Sequence, residues 1–139
     1  MSILRSLREC LRSSWWGKIL AEHDTEPAEL SGGLMKILIG LWLLLPFETF
    51  ESSPTFAVFS ILPEWLWGGA LIAIGAGHVS ALRSGDLDQR RHAATIGYLV
   101  WFSFSVVFVW TNPPAIGWIA FLIAGLAQLW CSLRLGGRA

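Results

Sequence analysis

The chain has 139 residues with ten basic and ten acidic side chains, so its formal net charge is zero and no global field recruits nucleic acid. Hydrophobic residues make up 54% and charged residues only 14%, with a mean hydropathy of +0.56. A soluble domain of this size has about a quarter of its residues charged. The deficit excludes an ordinary soluble domain and points to an all-α polytopic membrane protein.

Residues 1–20 read as an amphipathic helix. Ile3, Leu4, Leu7, Leu11 and Trp15 recur at helical spacing, while Arg5, Arg8, Glu9 and Arg12 occupy other faces. With Trp16 and Lys18 added, this arm suits an interfacial helix on an anionic leaflet, or a helix docked on the bundle or on a partner subunit. Its apolar run is too short for a signal peptide, so the arm is expected to persist in the mature chain. Residues 21–33 form an acidic linker with Glu22, Asp24, Glu26 and Glu29. His23 sits among these acids, and Glu26–Pro27 or Ser31 offers a helix start.

Four apolar stretches follow, near residues 34–50, 64–82, 93–111 and 115–133. At about 1.5 Å per residue, roughly 19 helical residues nearly match the ~30 Å hydrocarbon thickness of a bilayer. In the first stretch Lys36 lies near enough to the start for its stem to snorkel to the headgroups, and Pro46 marks the outer end. The connection from Glu48 to Pro63 is too rich in Phe, Ile and Leu to be a solvated loop, and is expected at the outer interface. The second stretch carries Gly69, Ala73, Ala76, Gly77 and Ser80 over successive turns, a small-residue stripe that permits close helix contact in lipid. Arg83, Arg90 and Arg91 beside Asp86 and Asp88 make a polar turn at Gly85. Gly97, Trp101 and Ser105 fall toward one face of the third stretch. Gly117, Ala124 and Gln128 offer packing positions in the fourth. Trp65, Trp67, Trp110, Trp118 and Trp130 lie near span ends, as aromatic-belt anchors do.

Basic residues occur only at positions 5–36, 83–91 and 134–138. Neither the 48–63 connection nor the Asn112–Pro114 turn contains Lys or Arg. Four spans would place the three basic groups on one side, so the positive-inside rule puts both termini and the middle turn in the cytoplasm. That pattern fits a bacterial or phage-encoded inner-membrane protein.

Chemistry-bearing motifs are sparse. Cys10 and Cys131 make neither CxxC nor zinc spacing, and no HExxH, GxSxG or phosphate-binding glycine loop occurs. His78 and His92 both fall near the turn end of the second and third spans, a weak haem or metal pair. The ordinary reading has His78 hydrogen-bonded across the bundle and His92 solvated. No cofactor is therefore expected, and the chain is read as non-enzymatic. Two functions fit: an accessory or assembly subunit of a homo- or hetero-oligomeric membrane complex, and a holin-like pore-forming protein.

Overall fold

A computed structural model describes residues 25–47, 49–52, 56–111 and 116–137 of the chain. The N-terminal arm with its arginines, Cys10, His23 and the Asn112–Pro114 turn lie outside the described residues. The elements formed by the described residues are all helical: α1 (Glu26–Leu43), a single turn α2 (Thr49–Ser52), a 3-10 turn (Ala57–Ile61), α3 (Glu64–Ser84), α4 (Leu87–Thr111) and α5 (Gly117–Gly136). Three of these, α3, α4 and α5, are long and apolar enough to cross a membrane. The first helix is shorter and carries Glu26, Glu29 and Lys36.

Helix α1 begins inside the segment expected to be an acidic linker, and it stops at Leu43, before Pro46. The start follows local chemistry. Pro27 sits in the first turn, where its missing N–H costs no hydrogen bond, and Glu26 and Glu29 face the positive end of the helix dipole. Pro63 precedes α3, and Gly85, at φ 71°, ends it in the left-handed conformation that only glycine adopts freely. Asp86 then opens α4 by accepting the backbone N–H groups of Asp88 (2.9 Å) and Gln89 (3.3 Å).

The four long helices pack as two close pairs, α1 with α3 and α4 with α5, and the contact between α3 and α4 is slighter. Two glycine pairs set the α1–α3 crossing. A Cβ at Gly75 would lie 2.7 Å from the Gly33 carbonyl oxygen, and one at Gly40 would lie 2.6 Å from that of Gly68. Glycine at these positions lets the two backbones touch, which brings dispersion contacts that lipid cannot match. The buried face of α3 is therefore Gly68, Leu71, Gly75, His78 and Ala81. The stripe expected to pack, Gly69, Ala73, Ala76, Gly77 and Ser80, is turned outward. All five residues are exposed, and a Cβ at Gly69 or Gly77 would meet nothing within 4 Å. The face moved because its partners, Gly33 and Gly40, lie on a helix whose own glycines fix the register.

The core differs at its two ends. At the end holding Pro63 and Thr111, aromatic rings fill it. Phe50 and Phe59 are buried, Phe108 stacks on Phe121 at 5.2 Å, and Phe56 meets Phe108 edge-on at 5.1 Å. The connection after α1 folds over this end as a cap. The Phe50 backbone N–H donates to the Glu64 carboxylate, and the Trp67 indole donates to the Phe59 carbonyl (3.0 Å). Trp67 is thus partly core, whereas Trp65 and Trp110 are exposed as a belt position requires. The opposite end, where α1 begins, α3 turns into α4 and α5 finishes, is polar.

Candidate functional site

The polar end is built from one face of each long helix. On α1, Glu29, Gly32, Gly33, Lys36, Gly40 and Leu43 are buried, a set spaced by three and four residues. On α4 the matching stripe is Arg90, Ala94, Gly97, Trp101, Ser105 and Phe108. Gln128, Cys131 and Ser132 come from α5, and His78 from α3. The expected grouping of Gly97, Trp101 and Ser105 on one face is therefore present.

Arg90 and Glu29 form the centre. The guanidinium Nε donates to one carboxylate oxygen of Glu29 at 2.9 Å and Nη2 donates to the other at 2.8 Å. This is a two-pronged, charge-assisted pair whose planar fork matches the carboxylate. Nη2 also reaches the Thr25 hydroxyl at 3.3 Å, and Nη1 lies 3.6 Å from Glu26. Glu29 is fully buried and Arg90 nearly so. Separating such a pair leaves a charge without solvent or partner, so the geometry holds the start of α1 against the start of α4.

Gln128 makes the second cross-link. Its Nε2 donates to the Ala28 carbonyl at 3.0 Å, tying α5 to the first turn of α1. The amide lies between two glycines. A Cβ at Gly32 would overlap its nitrogen, and one at Gly97 would lie 2.6 Å from its oxygen. A hydrogen bond between the Thr95 and Ser132 hydroxyls (2.7 Å) joins α4 to α5 nearby. Of the expected packing positions in α5, Gln128 is buried, Ala124 half-buried and Gly117 exposed.

Lys36 departs from expectation. It does not snorkel: the whole residue is buried, Nζ donates to the Gly32 carbonyl at 2.9 Å, and the ammonium sits 5.4 Å from the centre of the Trp101 ring. Among the described residues no carboxylate lies within salt-bridge distance of it. Gly97 again makes the room, since a Cβ there would come within 3.0 Å of Nζ. The expectation that the Lys36 stem snorkels to the headgroups is thereby corrected. The signal was present in the sequence: Glu29, Gly32, Lys36 and Gly40 repeat at helical spacing and share a face with the glycines that pack.

The two histidines have different surroundings. His78 is 1% exposed, and among the described residues neither ring nitrogen has a hydrogen-bond partner, so the expected bond across the bundle is not seen there. His92 is exposed, with Nδ1 at 2.7 Å from the Asp88 carbonyl oxygen. Both residues nevertheless line one apolar groove of about 600 Å³ between α3 and α4, along with Ala73, Gly77, Ala81 and Ala93. Cys131 is buried, its Sγ 3.9 Å from the Thr25 carbonyl oxygen, and is shielded from solvent chemistry. Among the described residues no three His, Cys, Asp or Glu side chains converge on one point.

The Arg90–Glu29 pair and Gln128 act between helices, holding α1 to α4 and α5. No known protein family, curated protein or solved structure matches this chain.

Proposed function

We propose that this chain is a non-enzymatic integral membrane protein of the inner-membrane type that serves as an accessory or assembly subunit of an oligomeric membrane complex. In this reading α1 is a fourth span, both termini are cytoplasmic, and the N-terminal arm rests on anionic lipid. The three basic groups of the sequence support that orientation, because they fall on one side when four spans alternate. Lys36 does not oppose a spanning α1, since its charge is covered by the bundle rather than by lipid.

The observation that carries the reading is the division of the core. Among the described residues the polar end gives way to packed rings of Trp101, Phe104, Phe108 and Phe121. A small bundle whose Arg90–Glu29 pair is internal and whose exterior exposes many large hydrophobic side chains is suited to packing against other membrane helices. The outward small residues of α3 supply a surface on which another helix approaches closely.

The test is expression of the full chain, purification in mild detergent and intact-complex mass measurement. A second kind of subunit retained with the chain, while cells keep their membrane potential, is the expected result. Abrupt loss of potential with dye uptake, and a mass made only of copies of this chain, would replace this reading with the holin-like one.

A further inference from the structure

We propose that the cleft between the end of α1 and the start of α3 binds the headgroup of an amino phospholipid, with Glu64 receiving the primary ammonium. The cleft holds about 300 Å³. The buried Leu43 and Phe50 line it together with the exposed Leu44, Leu62 and Trp65. Glu64 is the one charged side chain that lines it among the described residues. Its depth follows from the helix it begins. Because α3 is long and apolar enough to span, its first turn lies where hydrocarbon gives way to headgroups, and the exposed Trp65 suits that level.

The carboxylate has one oxygen spent and one unspent. The first accepts the Phe50 backbone N–H, and among the described residues no donor reaches the second and no basic side chain pairs with Glu64. The chain has no cation to offer at this end. No Lys or Arg occurs between Lys36 and Arg83, or between Arg91 and Arg134, and those four residues lie on the parts of their helices nearer the opposite, polar end. A half-buried carboxylate without a countercharge attracts a cation more strongly than one in bulk water does.

The surroundings select the class of cation. A bare divalent ion needs six or more oxygens, and among the described residues no group of acids converges to supply them. A primary ammonium needs only an acceptor, and the free oxygen of Glu64 makes with it a charge-assisted hydrogen bond. The indole of Trp65, on the same cleft, carries an N–H donor for the phosphate next to that ammonium. Leu44 and Leu62 offer apolar surface to the acyl chains. A choline headgroup has the charge but no N–H to donate. A glycerol headgroup brings no cation and sets its phosphate charge against the carboxylate.

The experiment offers the purified full-length chain, in mild detergent, phospholipids of one acyl composition and reads the bound lipid by intact-complex mass. The expected order is phosphatidylethanolamine first, phosphatidylcholine weaker by about tenfold, and phosphatidylglycerol weakest. The N-methyl and N,N-dimethyl forms of the first should fall between it and phosphatidylcholine as N–H donors are lost, a series that needs no variant. Glu64→Gln keeps an oxygen to accept the Phe50 N–H and removes the charge, so the preference should shrink to about twofold or less. Asp88→Asn, an exposed acid at the other end, should leave the preference unchanged. Equal retention of all the lipids overturns the proposal, as does a preference that survives Glu64→Gln. A complex that keeps a second subunit and takes up no lipid gives the cleft to that subunit, and overturns it too. The proposal rests on the membrane location of the chain and not on assembly, so a mass made only of this chain removes the assembly reading and leaves the lipid order as it is.

Discussion

Arg90 holds Glu29 in a two-pronged grip across 61 positions of sequence, and both partners are shut away from solvent. The pair joins the first turn of α4 to the first turn of α1. Removing one member leaves the other charged, buried and alone, while removing both leaves only a packing problem. Glu29→Ala is therefore expected to destabilise the bundle by about 3–5 kcal/mol, and Glu29→Leu with Arg90→Met by much less. Thermal unfolding of the two variants in one detergent measures the difference. Equal losses would mean that the charges contribute little.

The glycine pairs between α1 and α3 predict a contrast between neighbouring positions on one helix. Gly75→Leu drives a side chain into the Gly33 carbonyl and the Ile37 side chain, and overpacking of this kind costs about 1–3 kcal/mol or more. Gly77→Leu meets open space and should change the stability of an isolated copy by less than about 0.5 kcal/mol. Melting temperatures that fall alike for both would contradict the register described for α3.

Gly32 and Gln128 should behave as a coupled pair. Gly32→Ala collides with the Gln128 amide and is expected to cost about 1–3 kcal/mol. In a Gln128→Ala background the collision disappears, so the second substitution should restore part of the loss that the first causes. A double-mutant cycle with an interaction energy near zero would show that the two do not meet.

Lys36 gives a prediction of opposite sign. Its ammonium is buried with one carbonyl and one indole face as partners, and among the described residues no carboxylate is near enough to pair. Lys36→Met keeps the length of the stem and removes the desolvated charge, so stability should be unchanged or higher by about 1–4 kcal/mol. Denaturant unfolding is the measurement. A marked loss would mean that the ammonium stabilises the bundle through the Gly32 carbonyl and the Trp101 ring.

Periodicity and residue type determined a large share of this protein without any contact information. Runs such as 64–82 announce helices because no Lys, Arg, Asp or Glu interrupts them between Glu64 and Arg83, and Pro63, Gly85 and Pro46 punctuate those helices by the limits on their own backbones. The spacing of Gly97, Trp101 and Ser105 likewise marked the inner face of α4. Tertiary structure alone decided which glycine stripe of α3 turns inward, because Gly68 and Gly69 are neighbours and only the positions of Gly33 and Gly40 on another helix distinguish them. It also decided the fate of the charges. A lysine near the start of an apolar run looks able to reach water until it is found buried against the Trp101 ring and Gly97 of another helix. An arginine in a polar turn looks solvated until a glutamate 61 residues away is found beside it. Local pattern fixes what a segment tends to become, whereas burial and pairing depend on which segments meet, and that is set by packing over the whole bundle.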